Sequence, residues 1–209
     1  MEKKVNSNCI QVFARAPVAG QVKTRIAARI GPEPALSLYQ AMFHRTIEQV
    51  NQVPLSHREL WITGNPDDPM FAAVKPEFRI FTQQGKDLGE RMRFALQQGL
   101  TRYTMVILIG TDCPTLDALY LESAIEALNA GNKVVFGPAE DGGYVLLGLT
   151  VMVPGLFEAL HWGTDTVLQI SQTRLKDLSL PFKLLKPLRD IDRPEDLPGL
   201  ATLSPPLVY

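Results

Sequence analysis

The sequence predicts an α/β fold: a three-layer α/β/α arrangement with a mainly parallel, mixed sheet, built as one domain over residues 1–209. Three observations lead there. Of the 209 residues, 45% are hydrophobic and 21% charged, enough apolar material for a core and too little charge for a disordered chain. Short β-rich runs alternate with longer stretches of helical period, the pattern of strand–helix–strand crossovers. No long linker, internal repeat or low-complexity stretch divides the chain.

The first strand is expected over Cys9–Ala14 (CIQVFA). A helix follows over Glu33–Val50, where Leu36, Tyr39, Phe43, Ile47 and Val50 recur at spacings of three and four. Glu59–Thr63 reads as a strand, and Gly64–Pro69, with two prolines and two aspartates, as a surface connection. Arg79–Thr82 is the third strand. Asp87 and Glu90 then resemble a capping box that opens a helix with Leu88, Met92, Ala95 and Leu96 on one face. Met105–Ile109 is a buried strand, and Ala118–Asn129 a helix with a Leu121, Ala124, Ile125, Leu128 stripe. Val134–Gly137, Tyr144–Leu149 and Phe182–Leu185 complete the strands, and the tail after Pro198 is expected to be irregular. Right-handed crossovers would gather the loops after the strands along one sheet edge, where open α/β sheets bind ligands.

Charge narrows the function. With 21 basic and 22 acidic side chains the formal charge is −1, which argues against nucleic acid or an acidic membrane as the partner. The distribution is uneven, however. Residues 1–30 hold Lys3, Lys4, Arg15, Lys23, Arg25 and Arg29 against Glu2, a net of +5, whereas residues 105–145 carry a net of −5. Cys9 and Cys113 cannot build a disulfide framework and lack zinc-site spacing, so they read as reduced thiols. The polar opening has no secretory apolar region and no stretch approaches a membrane span, so a cytoplasmic protein is expected.

The basic loop Arg15-Ala-Pro-Val-Ala-Gly-Gln-Val-Lys-Thr-Arg25 follows the first strand. Gly20 allows close backbone approach, Lys23 offers a point charge, and Arg15 and Arg25 offer planar forks for phosphate oxygens. Its spacing fits neither a P-loop nor G-x-G-x-x-G. In isolation it is a solvated basic turn; its position in an α/β sheet favours a polyphosphate cradle. Arg29 reads as a surface charge.

Acidic residues gather at two later strand ends. In Gly110-Thr-Asp-Cys-Pro114, Asp112 follows a buried strand, while Thr115 or Asp117 stands nearer to cap the next helix. Asp112 is therefore free for a divalent cation. In Arg189-Asp-Ile-Asp-Arg-Pro-Glu-Asp196, alternation puts Asp190 and Asp192 on one side of an extended segment. Asp192 either caps the helix that Pro194 begins or binds metal. Magnesium needs only one or two carboxylates when phosphate oxygens supply other ligands, so Asp112 with Asp192 or Asp190 suffices. His44, His57 and His161 show no ligand spacing.

Three further loops offer substrate contacts. In Gly137-Pro-Ala-Glu-Asp-Gly-Gly-Tyr144, Asp141, and less strongly Glu140, either binds sugar hydroxyls or acts as a base; Asp-Gly is also an ordinary turn signal. Gln83 and Gly85 lie where a nucleotide base could be read, beside Arg91. Trp162 is either an aromatic wall or core.

Together FARAPVAGQVKTR, QQGKDLGERM, IGTDCP, GPAEDGGY, HWGTDTVL and DIDRPEDL resemble the glycosyltransferase-like DUF2064 family, within the nucleotide-diphospho-sugar transferase (GT-A, Rossmann-like) fold that MobA-like NTP transferases share. The resemblance runs from about Cys9 to Leu197, with Ala19 and Gly163 as its departures from the family pattern. It implies that Arg15, Gly20, Lys23 and Arg25 grip nucleotide phosphates and that Asp112 and Asp192, with Asp190 beside it, hold Mg2+ or Mn2+. The expected function is a metal-dependent transferase acting on a nucleotide-sugar or nucleoside triphosphate and an unidentified small-molecule acceptor. Asp112, Asp141 and Lys23 are its catalytic candidates, and a nucleotide-binding protein without transfer is the alternative.

Overall fold

The computed structural model describes residues 7–54 and 56–207. Its strands are β1 (Asn8–Arg15), β2 (Ser56–Thr63), β3 (Arg79–Thr82), β4 (Met105–Ile109), β5 (Val134–Pro138), β6 (Tyr144–Leu149) and β7 (Phe182–Leu184). They form one sheet in the order β3-β2-β1-β4-β6-β5-β7. β6 runs antiparallel to both neighbours, and every other pairing is parallel. A mainly parallel, mixed sheet is therefore present, as the alternation of elements predicts.

The helices are α1 (Thr24–Ile30), α2 (Pro32–Gln52), α3 (Pro69–Ala72), α4 (Leu88–Arg102), α5 (Ala118–Asn129) and α6 (Val167–Asp177), with 3₁₀ segments at Pro154–Leu156 and Pro194–Thr202. On one face of the sheet, Ile10, Val12, Leu60 and Ile107 meet Phe43 and Val50 of α2, Phe71 of α3 and Leu121 of α5. On the other, Cys9, Phe13, Trp61 and Val106 meet Met92, Leu96 and Leu100 of α4 and Leu175 of α6. Alternation along β1 supplies both faces, which makes the molecule three layers thick. A third cluster, containing Ile26, Leu38, Met42, Ile191 and Leu200, fastens α1 and the C-terminal 3₁₀ segment to the outside of α2.

Local chemistry accounts for the boundaries. Asp87 caps α4 by accepting from Glu90 N at 2.8 Å, while Glu90 reaches back to Lys86 N at 2.9 Å, one residue earlier than a reciprocal capping box requires. Asp117 caps α5 by accepting from Tyr120 N at 2.8 Å, leaving Asp112 out of that role. The connection Gly64–Pro69 ends at a short helix, where Asp68 accepts from Met70 N and Pro69 takes the first helical position. Two expectations change. Asp192 does not cap the turn that follows it; Asp196 does, its Oδ2 accepting from Asp192 N and Arg193 N at 3.1 and 2.8 Å. The 3₁₀ segment also runs through Pro198 to Thr202, so irregular backbone begins later than the proline content suggests.

β1 lies where the strand order reverses: the chain moves from it to β2 on one side and returns to β4 on the other. The register matches Val12 with Ile109, and β1 continues to Arg15 beyond that last pairing. The carboxyl ends of β1 and β4 therefore flank the point of reversal, where open α/β sheets take ligands in a crevice.

Candidate functional site

The basic loop leaves β1 at this crevice. Tyr39 of α2 fixes its start, accepting from Arg15 N at 2.8 Å and donating to Arg15 O at 2.7 Å. Burial pushes the Tyr39 phenol up to about 12, so its donor proton is retained. Arg15 turns its guanidinium back to Gln21 O at 3.2 Å, and among the described residues it forms no ion pair. Gly20 takes φ 75° at a turn with open space around it, a conformation that favours glycine.

Lys23 is the unusual residue. It precedes α1 with φ 47° and ψ 42°, a left-handed conformation that costs a long side chain energy. Its side chain is only 3% exposed. The ammonium donates to Asp112 Oδ1 at 2.6 Å and to Ile191 O at 2.5 Å, engaging two of its three donors. Ile191 N in turn donates to Asp112 O at 2.7 Å, so the loops after β1, β4 and β7 are laced together at one point. Two residues beyond Lys23, Arg25 Nη1 pairs with Asp192 Oδ2 at 2.5 Å across an exposed gap. Asp112 and Asp192, two of the three carboxylates expected to bind metal, are thus paired with cations expected to bind phosphate.

The remaining acidic residues converge on the same place. Ile191 is buried in the cluster against α1 and α2, which turns Asp190 and Asp192 the other way, as alternation requires. Burial, followed by the charges of Asp141, Asp192 and Asp112, raises the Asp190 carboxyl above the usual range; these side chains therefore share one field. Arg189 holds the segment by a 2.9 Å ion pair with Asp196. Asp141 is exposed, its Oδ1 accepting from Gly143 N at 3.0 Å. Gly142, at φ 92°, is forced by packing: a Cβ there would lie 2.1 Å from Asp165 O.

A divalent cation fits this donor set on one observation, the Lys23 ammonium seated on Asp112 Oδ1, where a positive charge already stands. Among the described residues no three His, Cys, Asp or Glu side chains form a group that could hold a metal unaided. Magnesium or manganese here would need oxygens from a phosphate ligand.

The other candidates are more peripheral. Gln83 donates its amide hydrogens to Ala14 O and Trp61 O at 3.2 and 3.0 Å, tying the ends of β1 and β2 together, so base reading would fall to its carbonyl oxygen. Gly85 O accepts from Arg91 Nε at 3.1 Å, and a Cβ on Gly85 would strike Arg91 N at 2.7 Å. Trp162 is half-buried, edge-on to Tyr144 with centroids 6.3 Å apart, and pressed against Gly89 of α4. Cys9 and Cys113 are free and buried, and burial raises both thiols, so neither is a poised nucleophile. Sequence reasoning missed the Ile191 carbonyl, which has no sequence signal, and the Tyr39 hydroxyl, which its place in an apolar stripe concealed.

Comparison with known proteins agrees with this architecture. A candidate nucleotide-diphospho-sugar transferase from Desulfovibrio desulfuricans G20 is 27% identical and superposes with a TM-score of 0.83 over 90% of this chain and 84% of that one. CMP:2-keto-3-deoxy-manno-octonic acid synthetase complexed with CTP shares the fold at 12% identity and TM-score 0.59, covering 95% and 98% of the two chains. Rv0371c of Mycobacterium tuberculosis H37Rv, solved with manganese, does so at 17% and 0.52, covering 92% and 97%. No curated protein matches significantly. Among families, the match spans residues 46–164, taking in Asp112 and Asp141 but neither the basic loop nor the Arg189–Asp196 segment. The chain belongs to the family described as uncharacterized protein conserved in bacteria, DUF2064.

Proposed function

We propose that this chain is a Mg2+- or Mn2+-dependent transferase that uses a nucleoside triphosphate or a nucleotide-sugar and releases pyrophosphate or a nucleoside diphosphate. The observation that carries the reading is the meeting of Lys23, Arg25, Asp112 and Asp192 at the crevice between β1 and β4. The folds shared with a CTP-bound synthetase and a manganese-bound protein support it.

Arg15, Lys23 and Arg25 would bind the phosphate oxygens, with Gly20 giving the backbone access, and Gln83 and Gly85 would border the base. Asp112 with Asp192 or Asp190 would hold the metal, which when bound supplies positive charge against the leaving group. In nucleotidyl transfer an acceptor oxygen attacks the α-phosphorus as the bond to pyrophosphate breaks; in glycosyl transfer it attacks the anomeric carbon as the nucleoside diphosphate leaves. Positioning and charge carry most of the first route. In the second, Asp141 would take the acceptor proton. The acceptor is a small molecule, the reaction belongs to one domain over residues 1–209, and a cytoplasmic location fits the two free thiols.

The test is release of pyrophosphate or nucleoside diphosphate with and without metal, across donors and acceptors. Metal-dependent release that Asp112→Ala abolishes is expected. Nucleotide binding with no release under any condition, undiminished in Asp112→Ala, would instead indicate a binding protein that performs no transfer.

A further inference from the structure

We infer that Arg45 and Gln49 of α2 are positioning residues, which mount the loop that carries Asp112 and so set its distance from the basic loop. The role of Asp112 rests on the proposed function; the residues that hold it in place are additional to that reading. Arg45 Nε donates to Pro114 O at 2.8 Å, two residues beyond Asp112. About one helical turn further along α2, Gln49 Oε1 accepts from Ala118 N at 3.1 Å, where the same loop enters α5. The loop is thus held at two points by one helix face. Arg45 Nη1 and Nη2 donate to Pro205 O and Ser204 O at 3.0 and 3.2 Å, so the same guanidinium also clasps the segment after the C-terminal 3₁₀ turn. Among the described residues Arg45 forms no ion pair, and each of its three nitrogens engages a carbonyl. A planar fork suits that task, whereas a point charge does not. The far side of the gap is fastened to the same helix, since Tyr39 holds both backbone groups of Arg15. A 21-residue helix is a rigid bar, and tying both loops to it fixes the gap that Lys23 and Asp112 close at 2.6 Å.

The two free thiols report on the mount without any ligand. Cys113 follows Asp112 in the loop, Cys9 lies in β1 in the core on the other face of the sheet, and both are buried. Their rates of alkylation by iodoacetamide in metal-free protein, read by mass spectrometry, separate loosening of the loop from general destabilisation. Arg45→Met should raise the Cys113 rate relative to that of Cys9 by about fivefold or more, the factor that losing one hydrogen bond's net contribution gives. Gln49→Leu, which removes no charge, should move the ratio in the same direction, and it decides the matter if Arg45→Met does not fold. Arg45→Lys should resemble Arg45→Met; full restoration by lysine would make charge the cause and overturn the inference. A rise in both thiols together, or in neither, would overturn it as well. The link to Asp112 is read by calorimetric titration of Mn2+ with pyrophosphate present. Both loop variants should weaken Mn2+ binding severalfold, whereas Glu59→Ala, a destabilising change on the opposite face, should not. A loosened loop with unchanged Mn2+ affinity, or equal weakening by Glu59→Ala, would contradict a positioning role. A wild type that binds no Mn2+ would remove the proposed function, and the thiol ratio alone would then decide whether Arg45 and Gln49 mount the loop.

Discussion

Lys23 shows how chemical type and chemical state part company at the level of single residues. Its charge, after a strand and beside Gly20, is legible in sequence; its pairing with Asp112 and with the Ile191 carbonyl, 168 positions away, is not. Local pattern encodes which groups are present, whereas tertiary contact decides which of them are free. The same holds for Glu59, which reads as a charged residue opening a strand yet is fully buried, accepting from Gln11, Trp61 and Arg102. Glu59→Ala leaves the buried Trp61 Nε1 without an acceptor and takes one from Gln11 and from Arg102, and a loss of about 3 kcal/mol is expected in urea unfolding. Asp112→Asn, which leaves the 3%-exposed Lys23 ammonium with an amide oxygen in place of its carboxylate, should lower stability by about 1–3 kcal/mol and metal-dependent release by at least about 100-fold.

Whole elements were legible in proportion to their length and periodicity. The long amphipathic helices α2 and α5 fall within a few residues of their expected bounds and α4 begins after its expected cap at Asp87, because a buried face needs a 3.6-residue repeat. The seven-residue α1 and four-residue α3 are too short to show one, and they emerge only from packing. Gly89 is a helix residue whose reason lies outside its helix: an added Cβ would stand 2.2 Å from Trp162 Nε1. Gly89→Ala should expel the indole, seen as a red shift in tryptophan emission with a stability loss of about 1–3 kcal/mol. The turn after β7 depends on one carboxylate. Burial alone would raise Asp196, but the N–H groups of Arg193 and Asp192 and the Arg189 guanidinium outweigh it and lower the group below its ordinary value. A depressed folded value means that this stabilisation is complete above the unfolded carboxylate range and is lost as pH falls through the folded one. The stability difference between wild type and Asp196→Asn should therefore be largest near neutrality and shrink in acid, as read from unfolding midpoints across pH.

For the whole molecule, alternation of strand and helix is enough to predict a mainly parallel sheet, since parallel neighbours require crossovers. Strand order is a different matter: it depends on which apolar faces meet, and no local signal marks the return from β3 to the far side of β1. Yet that return creates the crevice and brings Lys23 and Arg25 of the basic loop against Asp112 and Asp192, so the near-neutral total of −1 conceals facing charges of opposite sign. The central claim is that this junction binds a metal–polyphosphate complex. The most direct measurement is an anomalous-scattering map of crystals grown with Mn2+ and a bound nucleotide. A manganese peak within bonding distance of an Asp112 oxygen, with Lys23 turned to phosphate, is the predicted result; nucleotide bound elsewhere, or bound here with Lys23 still seated on Asp112 and no manganese beside it, would contradict it.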